Sequence, residues 1–312
     1  MLSNILAAML PLVVVFSLGY RAGWHKDFNG EQVSTLNRMV MLYAFPLNLF
    51  VGITNTPRAI LAQQVPLAVS VFSLMCASFV MAYFMSRHVF RRDASTSTLQ
   101  GLAIGAPSVP FIGSAMLPPL IGHSSATVAI SAAVFAMVLV QTPLCFMLLA
   151  KNADAGSVTT PVSVRRQILS SLEEPIVWAP IAATMLVVMD LHLPKVLLDS
   201  LGLLGNAAAG VALFASGIVL FAQRVSITLP VVMTVLARNL IVPAVSWGVL
   251  VLVGMPHDTI RAAVLALSIP VGTVMVILAV RFRVDEREAA STLFLSAILS
   301  VLTMTLFIAC TG

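Results

Sequence analysis

Ten long apolar segments, separated mostly by short polar connections, occupy most of this chain. Each is close to the roughly 20 residues that an α-helix needs to cross a bilayer. Lipid cannot hydrogen-bond an exposed backbone, and the alternating segments that would build a barrel are absent from the sequence. The sequence therefore predicts an all-α integral membrane protein with helices at 5–20, 36–53, 65–85, 99–121, 127–149, 176–191, 196–221, 228–253, 260–280 and 291–310.

The composition agrees with a protein whose main solvent is lipid. Only 9% of the 312 residues are charged, against roughly 25% in soluble domains. The net charge of +5 does not indicate nucleic-acid binding, because the basic residues lie in loops between apolar segments. No Lys or Arg precedes the first segment, so we expect a retained helix rather than a cleaved signal. Three cysteines within apolar segments indicate packing, and neither a metal nor a cofactor is expected: Cys76, Cys145 and Cys310.

Basic residues are distributed unequally between the two sides of the predicted bundle. Of the 17 Lys and Arg residues, thirteen fall in the odd-numbered connections, three in the even-numbered connections, and Arg238 lies inside the eighth segment. Connections rich in Lys and Arg face the cytoplasm. We therefore predict that the odd-numbered connections are cytoplasmic and that both termini face outside.

The longest connection, 151–174, divides five segments from five. Residues on either side match at a nearly constant offset, which indicates an internal repeat: Leu49-Phe50 with Leu213-Phe214, Pro107 with Pro270, and Thr127, Ser131 and Ala132 with Thr292, Ser296 and Ala297. Five helices per half also force opposite orientations. The expected organisation is a first repeat at 1–150, a cytoplasmic loop at 151–174, and a second, inverted repeat at 175–312.

Two segments carry prolines and glycines that interrupt a helix. They are Gly105, Pro107, Pro110 and Gly113 in the fourth segment, and Pro270 and Gly272 in the ninth. Proline removes a backbone donor and bars the α conformation for the preceding residue. Broken helices at corresponding positions of two halves indicate a transport site, and their N-termini suit an anion. The alternative is a pair of ordinary kinks, since both residue types are common in membrane helices.

A few polar residues inside the segments are candidate substrate ligands. Arg238 lies near the membrane midplane, where a carboxylate would suit it; alternatively it snorkels or bonds to helix C-terminal carbonyls. Asn48 is either a ligand or a helix–helix hydrogen bond. Thr273, at the end of the second break, is a further candidate. All twelve acids lie in loops or at segment ends, which argues against a cation as substrate and shows no obvious proton carrier.

Four stretches resemble the auxin efflux carrier family, and together they reach over nearly the whole chain: PLVVVFSLGYRAG, LNRMVMLYAFPLNLF, GNAAAGVALFASGIVL and LSIPVGTVMVILAVRFRVDEREAASTLFLSAILS. The short central loop is similar to that of bacterial malonate-transporter-like members. The resemblance implies ten helices in two inverted repeats, two proline-broken crossing helices, and a location in the bacterial inner membrane. It also implies an anion bound at the crossing and moved by an elevator-like motion. Ser108 stands where the family usually has Asn, and Met304 where relatives often have proline.

The leading hypothesis is a secondary transporter, working as an exporter or facilitator, for a small organic anion such as malonate or another carboxylate. The first alternative is a sodium-coupled carrier of a larger amphipathic anion, similar to bile-acid symporters. An intramembrane enzyme is not expected, because no nucleophile–base pair or metal-ligand motif lies at membrane depth. A structural or sensory role is the remaining class. The expected partners are the anion and the bilayer, without nucleic acid, and a homodimer is left open.

The charge distribution generates a test of orientation. In a variant that lacks the native cysteines, a cysteine introduced in the 151–174 connection should react with a membrane-impermeant maleimide only from the cytoplasmic side. Inside-out vesicles and intact cells provide the comparison, with a cysteine in the 54–64 connection as the opposite control. Labelling of the 151–174 cysteine in intact cells would contradict the predicted orientation.

Overall fold

The computed structural model describes residues 2–152, 173–221 and 226–312, and their regular structure is helical apart from one isolated β-bridge. The helices are α1 (Leu2–His25), α2 (Gly30–Thr54), α3 (Arg58–Gln63), α4 (Val65–Val89), α5 (Ala94–Gly105), α6 (Ser114–Ile121), α7 (123–152), α8 (Pro175–Val188), α9 (Lys195–Gly205), α10 (Ala207–Phe221), α11 (Leu229–Leu252), α12 (His257–Leu267), α13 (Val274–Phe282) and α14 (Glu286–Cys310).

Six helices among the described residues are long and apolar enough to cross a membrane: Gly30–Thr54, Val65–Val89, His123–Leu149, Lys195–Val219, Leu229–Leu252 and Glu286–Cys310. The prediction of an all-α membrane protein is confirmed at this level. Each of the ten predicted segments coincides with helical backbone. The fourth, seventh and ninth are each divided into two helices, the seventh at Asn206 alone. The inverted five-plus-five arrangement stays a prediction, and most of its central connection, 153–172, lies outside the described residues.

Local capping places two helix starts earlier than hydropathy predicted. α2 begins at Gly30 rather than near residue 36, because Asn29 and Gln32 form a reciprocal capping box with bonds of 2.8 and 2.9 Å. α5 begins at Ala94 because Asp93 accepts the Thr96 amide at 2.9 Å. Partial burial raises the pKa of Asp93, but hydrogen bonds from Thr96 and Ser95 outweigh it and leave the pKa below its usual value.

Several helices contain a π turn, a single wider turn that often marks a functional position. Three of these turns lie inside long helices: Val40–Ala44 in α2, Ala136–Gln141 in α7 and Ala237–Ile241 in α11. The last two carry the buried polar residues Gln141, Arg238 and Asn239. The irregular turns therefore occur where α7 and α11 present polar groups to the protein interior.

α1 and α10 pack against each other through glycines that allow close backbone contact. A Cβ on Gly19 would lie 2.0 Å from the Phe214 carbonyl oxygen, and one on Gly217 would lie 2.3 Å from the Phe16 carbonyl oxygen. Small residues at helix interfaces permit this approach in membranes.

Adding a side chain at this interface should therefore destabilise the protein. We expect Gly217→Val to lower the free energy of unfolding by about 1–3 kcal/mol, because the helices must separate to accommodate it. Gly210→Val, on the same helix with no neighbouring side chain or other helix within 4 Å of the added Cβ, is the matched control. The melting temperature (Tm) in detergent is the measurement, and equal values for both variants would contradict the close contact.

Candidate functional site

Two helices are interrupted at the positions that proline and glycine predicted. α5 ends at Gly105, and helical backbone resumes with the π turn Val109–Gly113 before α6. Ala106 is extended, with φ −115° and ψ 90°, as Pro107 requires of the residue before it. The second interruption covers 268–273, between α12 and α13.

The two interruptions contact each other directly. Pro107 and Val271 form an antiparallel bridge. The Ser108 amide donates to the Pro270 carbonyl at 2.8 Å, and the Gly272 amide donates to the Ala106 carbonyl at 3.1 Å. A Cβ on Gly272 would lie only 3.1 Å from that Ala106 oxygen, so glycine allows the two backbones to meet. The structure therefore brings the predicted residues Pro107, Pro270 and Gly272 together at one crossing.

The first interruption is shorter than the predicted run of residues. Pro110 lies in the first turn of the resumed helix, where proline is tolerated because that amide needs no helical partner. Gly113 lies within the same π turn. Gly105 is the last residue of α5, and a Cβ there would meet Phe79 of α4 at 2.6 Å. Only 106–108 departs from helical geometry.

Arg238 is fully buried and is hydrogen-bonded to both interrupted helices. Nη1 donates to the Ile104 carbonyl at 2.9 Å. Nη2 donates to Leu267 at 2.7 Å, and Ile269 accepts from Nε and Nη2 at 3.1 and 2.9 Å. These carbonyls lie at or just beyond the C-terminal ends of α5 and α12, where helix dipoles place partial negative charge. These contacts match the alternative that the sequence left open, in which Arg238 bonds to carbonyls at helix C-termini. Its role as a substrate ligand stays a prediction.

Uncharged polar residues that the sequence analysis did not propose as ligands also form hydrogen bonds with the backbone at the crossing. Gln141 donates to the Gly105 carbonyl at 3.0 Å. Ser296 accepts the Val271 amide at 3.1 Å through its hydroxyl, which donates to Asn239 at 2.7 Å. Each is a buried polar side chain within an otherwise apolar segment, and that signal is visible in the sequence.

A small cavity of about 20 Å³ lies beside the crossing, with room for about one water molecule. Its lining is uncharged: Phe16, Ser108, Ile112, Ser216, Val271, Thr273, Leu293 and Ala297. In the part of the chain that the structure describes, the hydroxyls of Ser108 and Thr273 have no hydrogen-bond partner. Thr273 also precedes α13, whose first amides lack helical acceptors. These donors suit an anion.

The structure thus joins two of the four predicted ligands at one cavity and separates the others from it. Arg238 and Asn48 are not among the lining residues. The Asn48 side chain donates to the Gly205 carbonyl at 3.2 Å, so in this structure it links α2 to α9. Ser216, on α10, lines the cavity and was not predicted from sequence.

The contacts of Arg238 lead to a test that separates an anchoring role from a binding role. Arg238→Gln should lower the free energy of unfolding by about 1–3 kcal/mol, because it leaves buried carbonyl acceptors at the helix ends unpaired. Arg238→Lys should recover only part of this loss, since a single ammonium cannot reproduce the planar fork. The Tm of the substrate-free protein is measured, with exposed Arg58→Gln as control. An unchanged Tm with a raised KM for transport would identify Arg238 as a ligand instead.

Comparisons with known proteins agree with an architecture built for transport. The family model described as "Membrane transport protein" matches residues 4–308. The chain is 29% identical over 313 residues to the "Uncharacterized transporter YfdV" of Escherichia coli (strain K12), covering 99% of this chain and 98% of the relative. It is 23% identical over 307 residues to the "Putative malonate transporter" of Rhizobium meliloti (strain 1021), covering 97% and 95%. The chain therefore belongs to the membrane transport protein family, which is the auxin efflux carrier family.

Proposed function

We propose that this protein is a secondary transporter of a small organic anion, such as malonate or another carboxylate, and that the anion binds at the crossing. The observation that carries the proposal is the cavity beside the two joined interruptions. Two unpartnered hydroxyls, Ser108 and Thr273, and the N-terminus of α13 meet there without any carboxylate in the lining.

Binding would follow from the donors that surround the cavity. A carboxylate only accepts hydrogen bonds, and the hydroxyls and first-turn amides can donate them. Arg238 would add positive potential from behind the crossing while keeping its own carbonyl partners. The cavity of about 20 Å³ is too small for a dicarboxylate, so transport would require the crossing to open, in keeping with the expected elevator-like motion.

The remaining features of the proposal concern substrate, layout and direction. The name of the Rhizobium relative supports malonate, and neither relative is named for a bile-acid-like substrate. We propose ten helices in two inverted repeats in a bacterial inner membrane, with both termini outside. An inside-negative potential would favour export of an anion by about 2.3 kcal/mol per charge per 100 mV. Membership in a transport family favours transport over catalysis.

Purified protein in liposomes provides the test. We expect saturable counterflow of radiolabelled malonate or of another small carboxylate from a panel, and net flux of the same substrate should be electrogenic. Ser108→Ala and Thr273→Val should each raise KM about three- to tenfold, because each removes a donor worth about 0.5–1.5 kcal/mol. Their Tm should not fall, since neither hydroxyl is bonded to the protein.

The matched control is Thr305→Val, on α14, whose hydroxyl bonds to the Val301 carbonyl of its own helix. Its KM should equal that of the unsubstituted protein. No counterflow of any tested carboxylate would contradict the function, and an unchanged KM in the Ser108→Ala, Thr273→Val double variant would contradict the site.

A further inference from the structure

Two carboxylates at the start of α14 contact polar residues at and just before the start of α5. Asp285 accepts a hydrogen bond from the Thr96 hydroxyl. Glu288 accepts one from Gln100 at 3.0 Å and forms an ion pair with Arg92 at 3.2 Å. The partners are 188 to 196 residues apart in the sequence, so these bonds join the two predicted halves. Both carboxylates act only as acceptors, as ionised groups do.

Four of these residues, all except Arg92, line a second small cavity, again of about 20 Å³. That volume holds one water molecule or one monatomic ion. Side chains from both predicted halves line it: Thr96, Leu99, Gln100, Ala103, Thr234, Met275, Asp285, Glu288, Ala289 and Thr292. The polar part of this lining offers carboxylate, hydroxyl and amide oxygens, which are ligands for a hard cation.

Thr234, on α11, is an independent indication that this cavity takes a ligand. It is 6% exposed, and within the described residues its hydroxyl makes no hydrogen bond. Neighbouring threonines do pair: Thr292 donates to the Glu288 carbonyl at 2.8 Å, and Thr98 donates to the Ala94 carbonyl at 2.7 Å. This side chain is more than nine-tenths buried, and its hydroxyl is left free to bind whatever occupies the cavity that it lines.

The charges at the cavity point to a monovalent cation. The exposed Asp285 and the partly buried Glu288 supply two negative charges. Arg92, which pairs with Glu288 from outside the lining, supplies one positive charge, so this bonded group carries one net negative charge. Among the described residues, Arg92 is the one basic side chain that forms an ion pair with either carboxylate. A transition metal does not fit, because no group of three His, Cys, Asp or Glu side chains comes together in the described ranges.

We propose that this cavity is a sodium site, with the carboxylates of Asp285 and Glu288 and the hydroxyls of Thr96 and Thr234 as ligands. A bound proton needs only one acceptor atom, whereas a metal ion needs several oxygen ligands. The cavity offers several neutral oxygens as well as two carboxylates, so a metal ion fits it better than a proton. The single net negative charge matches a monovalent rather than a divalent ion, and a ligand set made only of oxygens suits a small, hard ion such as sodium.

The proposed function gives this site a role, because sodium would be the coupling ion of the carrier. α5 leads from Thr96 directly to the interruption at Ala106. α14 leads from Asp285 to Ser296, which bonds the Val271 amide in the second interruption. A bound ion would hold the starts of both helices together and thereby favour one arrangement of the crossing. The coupling rests on the proposed function, but ion binding can be measured without it.

The experiment measures binding of radioactive sodium to the purified full-length protein in detergent, without any anion substrate. We expect one saturable site per chain. Asp285→Asn should weaken binding at least about tenfold, and Thr234→Val, which removes an unpaired hydroxyl at nearly constant volume, should weaken it about three- to tenfold. Asp199→Asn, an exposed carboxylate on α9, and Thr305→Val are the matched controls and should bind as the unsubstituted protein does.

Several outcomes would overturn the proposal. They are the absence of saturable sodium binding, equal competition by potassium, and unchanged affinity in both cavity variants. Sodium binding that persists while no carboxylate shows counterflow would refute the proposed function and leave the ion site standing. Counterflow that is saturable but indifferent to sodium would refute the coupling role alone.

Discussion

An interrupted helix inside a membrane leaves carbonyl groups that lipid cannot satisfy, and each costs several kcal/mol if it stays unpaired. In this protein the side chain of Arg238 forms hydrogen bonds with carbonyl groups of both interruptions and so offsets part of that cost. Arg238 donates to Ile104 after the first approach helix and to Leu267 and Ile269 after the second. Its charge is balanced by two helix C-termini, and among the described residues no carboxylate forms an ion pair with it.

This pairing gives the two ends of the interruptions different chemistry. The carbonyl ends are occupied by Arg238 and by Gln141, which bonds Gly105. At the other ends, where helical backbone resumes, the first amides and the hydroxyls of Ser108 and Thr273 remain available as donors near the cavity. Partial negative charge is therefore neutralised by the protein, and partial positive charge is left for a ligand. The selectivity for an anion would come from this division, without any charged side chain in the lining.

The sequence predicts those features that depend on local rules, and it fails where partners come from distant parts of the chain. Segment length and apolarity located the helices, and Pro107 and Pro270 located the interruptions. The capping box of Asn29 and Gln32 was a local signal that hydropathy alone overlooked. The partners of Arg238 could be narrowed only to two alternatives, because the carbonyl of Ile104 is 134 residues away. The contacts of Asp285 and Glu288 with α5 could not be predicted, because nothing in the sequence distinguishes these two acids from other residues of a polar loop.

α5 runs from the cavity of the proposed sodium site to the crossing. Thr96, near its start, contacts Asp285, and Ile104, near its end, bonds Arg238. Eight residues of helix separate these points by about 12 Å. If α5 moves as one unit, a change in what holds Thr96 would shift the Ile104 carbonyl to which Arg238 donates. Since Arg238 grips the second interruption as well, a displacement of α5 reaches both sides of the crossing. One buried arginine would thus make the two interruptions respond as a unit, which a carrier needs if its site is to open to one side at a time.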